Sequence, residues 1–460
     1  MLVKSRVILS IGMAASGLLI STCAPSEVTE TVPITVPPEQ VKVEVQVTSP
    51  PEIGEATVEV PTEVPAEPAE EAPDLPAGCT YNAYVMGWVM DYADPENILK
   101  VAYHPDSPFQ STFWDDQAYR DLVDQALLEQ DFDTRIRLWQ QAEGILVTDY
   151  VVGIPIYHYD LTALARPEIE VEYRPYGVPN YMKWRLPAGQ DALRVTLPLE
   201  PATLDPNTAF ETDVADVLDQ LMEPPYRYTG EGGIEPAGAE SYAVSDDGLV
   251  YTIHLRQDAT WSDGAPVTAQ HYVDGITRLL DPATGADYAW LMYLIQGAEA
   301  FNTGESDDPS TVGVRAMDDQ TLEITLGQTA SHFDSILAWN TMYPVRLDVI
   351  EQYGEAWTEP GNFVGNGPYL LTEWVHDAYI VIEKNPDYWG ADAVTVERIE
   401  FSIFEEEAPK LAAYERGELD AIAHLYDAEL LVHILDELPE HLRRVPFPGT
   451  FSVDLNTVRS

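Results

Sequence analysis

Apolar positions recur at helical spacing between residues 115 and 147. Tyr119, Leu122, Val123, Ala126 and Leu127 share one face, and Leu138, Trp139, Ala142, Ile145 and Leu146 repeat the pattern. Residues 131–134 read as the turn between two helices. The run VVGIPIYHY at 151–159 then has the continuous apolar character of a strand buried on both faces. Residues 181–186 predict a final short strand.

A second series follows a linker at 187–190. Residues 193–199 alternate apolar and polar, as a half-buried strand does, and so do Tyr251, Ile253 and Leu255 after the turn Asp246-Asp247-Gly248. Val214, Val217, Leu218 and Leu221 define a helix face. Thr268 is placed to cap a helix running to Leu280, behind a tight polar turn at 261–264. Leu322, Ile324 and Leu326 predict a strand, and 369–374 and 379–383 predict two more. The last helix, 406–416, carries Pro409 in its first turn and Gly417 as its stop. Strands and helices mix without the strict alternation of a Rossmann fold or TIM barrel, so the class is α/β, of the open-sheet, multi-lobed kind.

The N-terminal part departs from this patterning. Lys4 and Arg6 precede an apolar stretch at 7–20 that is short for a membrane span, and the run closes Ile20-Ser21-Thr22-Cys23. Residues 1–23 read as an export signal. Residues 24–77 repeat Pro, Glu, Val and Thr; the prolines remove backbone donors and the glutamates repel, which predicts a stiff, disordered spacer.

Charge narrows the function. The 460 residues carry 78 acidic against 24 basic groups, a net −54, which repels phosphate backbones and excludes nucleic acid as a partner. Two cysteines, Cys23 and Cys79, provide neither a disulfide framework nor a cysteine-rich metal site. No GxSxG, HExxH, P-loop or GxGxxG motif is present, and the nine histidines form no ligand pair at helical spacing. Nothing points to an enzyme, a resident metal or a cofactor. The chemistry that does stand out is Gly87-Trp88-Val89-Met90-Asp91-Tyr92, closed by Asp94-Pro95. A carboxylate held among aromatic rings is costly to desolvate unless a cation meets it, so Asp91 is a candidate ligand clamp.

Several ordered blocks resemble one known family. The stretch DGLVYTIHLRQDATWSDGAPVTAQHYVDGITRLLDP at 247–282 resembles the signature of extracytoplasmic solute-binding proteins of ABC importers, in the oligopeptide- and dipeptide-binding family 5. TLDP at 203–206, VRAMDDQTLEITL at 314–326, NFVGNGPYLLTEW at 362–374, EKNPDYWG at 383–390 and GELDAI at 417–422 follow in family order. GWVMDYADPENIL and RIRLWQQAEGILVTDYVVGIPIYHY resemble the closing quarter of such a protein. The family's C-terminal-like part, 78–186, thus stands before its N-terminal-like part, 191–460, with the middle missing. A rearranged gene, a permuted form and a truncated piece of a duplicated protein all fit this order. The ISTC run resembles a bacterial lipobox, in which Cys23 would carry the lipid.

The resemblance implies a bilobed periplasmic-binding-protein-like (type II) fold that closes over its ligand about a hinge, with the second large lobe incomplete. Residues 191–460 would supply the first lobe and its accessory domain; 78–186 would supply part of the second lobe and the closing strands of the first. It further implies a peptide ligand, ABC permease and ATPase subunits as partners, and an extracytoplasmic, lipid-anchored location. Asp91 matches the carboxylate that pairs the peptide's α-ammonium, and Trp88 and Tyr92 match neighbouring aromatics. Phe210, Glu211 and Thr212 match a loop that meets an extended peptide through its backbone. Val85 stands where closer oligopeptide binders carry a basic residue. The alternative is a surface lipoprotein without a transport role, a remnant of such a binding protein.

Overall fold

The computed structural model describes residues 83–457 apart from 93, 108, 130, 175–177, 210, 211, 331 and 426. The expected export signal, Cys23 and the spacer lie outside the described residues, as do Phe210 and Glu211.

In chain order the first strands are β1 (Ala83–Val89), β2 (Gly153–Ala165), β3 (Ala192–Leu197), β4 (Tyr226–Tyr228) and β5 (Ile234–Pro236). Then come β6 (Ala239–Val244), β7 (Val250–Leu255), β8 (Val314–Asp318), β9 (Thr321–Thr325) and β10 (Tyr369–Val375). The last four are β11 (Tyr379–Lys384), β12 (Arg398–Ile403), β13 (Ala421–Leu425) and β14 (Leu442–Leu455). They form three four-stranded sheets, ordered β1-β14-β2-β13, β10-β11-β12-β3 and β6-β7-β9-β8, beside the small pair β4-β5.

Local sequence explains most elements. Strand β7 buries Tyr251, Ile253 and Leu255 on one face, as its alternation requires. The helix Ala269–Leu280 is closed at its start by a capping box in which Thr268 and His271 satisfy each other's backbone donors. Gly417, at φ +80°, ends the helix Glu407–Glu415 in the left-handed geometry that a glycine enters without a steric penalty. Gly367, in the NGP turn before β10, lies against main chain: an added Cβ would come within 2.5 Å of the Leu221 carbonyl carbon. That close approach accounts for the turn's composition.

Three helices follow β1. They are α1 (Glu96–Leu99), α2 (Gln117–Leu128) and α3 (Phe132–Glu143), with Asp116 and Asp131 accepting from backbone amides at the starts of α2 and α3. Tyr119, Val123, Ala126, Trp139, Ala142 and Leu146 form one core with Leu99 and Tyr103. The predicted break between two helices is there, one turn of π-helix extending the second through Asp149. A much larger core runs through the remaining chain, around α4 (Thr212–Leu221), α5 (Ala269–Leu280) and the sheets of β3 and β7.

Two expectations are corrected. The 151–159 run is a strand, yet residues 154–158 are exposed rather than buried. Strand β13 pairs β2 only through 162–165, so the preceding residues are flanked by β14 alone and have no neighbour on the other edge. Across that sheet one face packs Met86 and Trp88 toward the α2–α3 core, while Val85, Tyr157 and Phe451 lie on the other. Val85 is 65% exposed, and Tyr157 stacks on Phe451 at 5.0 Å. Residues 181–186 form no strand. Tyr181–Lys183 is a 3-10 turn, because the amides of Lys183 and Trp184 are satisfied locally by Asn180 and Tyr181.

Candidate ligand site

Strand β1 delivers Trp88, and the chain then leaves the sheet through a tight turn into α1. Asp91 sits on that turn and is 6% exposed. Asn97, fully buried at the start of α1 (Glu96–Leu99), organises it. Its Nδ2 donates to Asp91 Oδ2 at 3.2 Å, while its Oδ1 accepts from the Asp91 amide at 3.2 Å and from Trp88 Nε1 at 3.0 Å. The hydroxyl of Tyr288 donates to Asp91 Oδ1 at 3.3 Å from the far side of the sequence. Both side-chain partners are neutral, and among the described residues no basic group forms an ion pair with Asp91. Burial accordingly pushes the Asp91 carboxyl above its ordinary range, the hydrogen bonds from Asn97 and Tyr288 opposing. A cation brought to this carboxylate would reverse that shift.

Asp94 provides the contrast. Three residues on, it is clamped by Arg135 of α3 through two bonds, at 2.6 Å and 2.5 Å, with both groups buried. The pair anchors the turn that carries Asp91. Tyr92 points inward at 3% exposure, stacked on His332 at 5.1 Å, and its hydroxyl donates to Glu96. It therefore supports the turn from behind, while Trp88 lies half-buried on the Asp91 side. Thr212 opens α4, and its side chain falls outside the described set, as Phe210 and Glu211 do.

Behind Asp91, two buried groups titrate in opposite senses. Burial raises Glu96 from 4.5 to about 7, and burial lowers His332 from 6.5 to about 4. The raised carboxyl stabilises the fold fully below pH 4.5, and that contribution is lost as pH climbs through 7. The depressed imidazole stabilises it above pH 6.5 and loses that as pH falls through 4. Between pH 4.5 and 6.5 the two slopes cancel. The Glu96→Gln variant, followed by urea unfolding, is therefore expected to gain stability with rising pH relative to the parent, by about 1 kcal/mol per pH unit in that window.

Sequence reading singled out Asp91, Trp88 and Tyr92 but missed Asn97 and Tyr288. Asn97 left a weak signal, a polar residue just before the apolar pair Ile98-Leu99. Tyr288 left none, because its link to Asp91 spans 197 positions. Among the described residues no cluster of His, Cys, Asp or Glu is placed to hold a metal, and no helix is long and apolar enough to cross a membrane.

Comparison with known proteins bears on this geometry. Residues 233–457 match the family described as bacterial extracellular solute-binding proteins, family 5 Middle. The chain is 36% identical over 261 residues to the probable deoxycholate-binding periplasmic protein YgiS of Escherichia coli, covering 56% of this chain and 48% of the relative. It is 35% identical over 260 residues to the E. coli periplasmic oligopeptide-binding protein OppA, covering 56% of this chain and 47% of OppA. The chain thus spans about half the length of the curated relatives it matches. Among solved structures, Haemophilus influenzae OppA in complex with RPPGFSPFR superposes with a TM-score of 0.52 at 31% identity, over 54% of this chain and 49% of that one. The fold is that of the bilobed type II periplasmic binding proteins, with coverage that fits a partial second lobe. Through these residues the chain is similar to family 5 of the bacterial extracellular solute-binding proteins.

Proposed function

We propose that this chain binds peptides by their free α-ammonium at Asp91 and serves as the extracytoplasmic binding component of an ABC importer, held to the membrane by a lipid on Cys23. One observation carries the reading: Asp91 is a nearly fully buried carboxylate whose side-chain partners are neutral. An ammonium in that position makes a charge-assisted bond in a water-poor setting, where it is far stronger than in water. Its relatives are binding proteins rather than enzymes, and the solved OppA complex holds a peptide. The family is extracellular, which agrees with an export signal at 1–23. The peptide's backbone would meet the loop of Phe210, Glu211 and Thr212, and the permease and ATPase would receive the ligand.

Calorimetry with a tripeptide in free-amine and N-acetylated forms tests the reading. The free amine is expected to bind and the acetylated form to lose at least about a hundredfold in affinity. Equal binding of both forms, or heat from deoxycholate with none from peptides, overturns it. The exposed face formed by Val85, Tyr157 and Phe451 favours a second reading, a surface lipoprotein with assembly duties and no transport role.

A further inference from the structure

Five aromatic rings form a continuous belt beside Asp91. Trp88 meets Phe109 edge-on at 6.0 Å, and Phe109 meets Trp290 at 5.9 Å. Trp290 stacks on Tyr288 at 6.3 Å, and Tyr288 meets Trp339 at 6.4 Å. Trp88 and Phe109 come from the segment around β1 and α1; the other three come from residues beyond α5. The belt touches the carboxylate's surroundings twice, through the Tyr288 hydroxyl on Asp91 and the Trp88 indole on Asn97. None of the five is fully buried. The core tryptophans Trp139, Trp184 and Trp261 are exposed by 2% or less, so the belt holds more open aromatic surface than a core needs.

We infer that this belt reads the first side chain of the bound peptide and selects a large apolar or aromatic residue there. The inference rests on the ammonium of that peptide being held by Asp91. In any amino acid the α-nitrogen and Cβ are about 2.5 Å apart, so an ammonium on Asp91 fixes its side chain against whatever flanks the carboxylate. What flanks it is the ring of Tyr288 and, through Asn97, that of Trp88. Rings offer faces and edges to another ring, and such pairs add to the gain from burying area alone. The ammonium satisfies Asp91, and the belt contains no carboxylate of its own to pair a cationic first side chain. An acidic one meets a chain of net charge −54.

The test compares Phe-Ala-Ala, Ala-Ala-Ala, Arg-Ala-Ala and N-acetyl-Phe-Ala-Ala, by calorimetry and tryptophan fluorescence on the full chain. Phe-Ala-Ala is expected to bind about tenfold tighter than Ala-Ala-Ala and Arg-Ala-Ala, with the acetylated peptide far weaker. Trp290→Ala is expected to bring the Phe-to-Ala preference within about twofold. Trp290→Leu and Phe109→Ala give the same ratio by milder changes if that variant does not fold. Equal affinity for every free-amine peptide overturns the selectivity and leaves the peptide-binding reading standing. Tightest binding of Arg-Ala-Ala also overturns it, by assigning the rings to cation recognition. Binding of no free-amine peptide removes both.

Discussion

Asp91→Asn is expected to weaken binding of a free-amine tripeptide by about a hundredfold or more, while the melting temperature of the unliganded protein at neutral pH holds level or rises. The two halves of this result have one cause. Removing the charged partner of a buried ammonium costs about 3 kcal/mol, most of it from leaving the other charge desolvated and unpaired. Without ligand the balance reverses, since burial disfavours the ionised Asp91 and its neighbours Asn97 and Tyr288 are neutral. An amide keeps the shape and drops the charge. Calorimetry and a thermal melt read the two halves separately. A fall in both would make Asp91 a structural residue of the β1–α1 turn and remove it from recognition.

Arg135→Met carries the second large effect, in the opposite direction. Arg135 holds Asp94 through both carboxylate oxygens with each side chain buried, so deleting the guanidinium strands a charge. Losses of about 3–5 kcal/mol follow when one partner of a buried pair is removed. Chemical unfolding is expected to show this as a lower midpoint, and peptide affinity is expected to fall with it because the turn bearing Asp91 loses its anchor. Adding Asp94→Asn to the variant is expected to recover much of the stability. A double variant no more stable than the single one would assign the loss to packing of the arginine against Trp139.

These expectations draw on features of different legibility. Elements whose burial follows a simple period were readable in advance: β7 from Tyr251, Ile253 and Leu255, and α5 from Thr268 and the apolar face that ends at Leu280. The exposure of 154–158 was not readable, because an apolar run reports its own composition and not which neighbours lie on each side. Residues 181–186 carried strand-like residues whose amides found nearer partners in a 3-10 turn. At the candidate site, Asp91 stood out because an acid among aromatics is conspicuous within a short window. Tyr288 and Trp290 did not, since an aromatic residue in a loop reads as packing until the fold brings it to a carboxylate.

The order of strands in the first sheet also governs when it can form. Strands β13 and β14 are near neighbours in sequence, yet β2 lies between them and β1 lies on the outer side of β14. Strands β1 and β2 therefore wait for β14, made some three hundred residues later. His158 meets Thr450 across 292 positions, and Tyr84 meets Asp454 across 370. At about 5–20 residues per second, synthesis alone imposes a delay of roughly 15–60 s before β2 gains its main partner. During that interval Ile154, Ile156 and Tyr157 present an apolar edge with nothing to pair, and Pro155 is the residue within it that denies an incoming strand one hydrogen bond. Folding of this sheet is thus a closing event, set by the arrival of residues 442–455, and slow in the way that non-local strand pairing is slow.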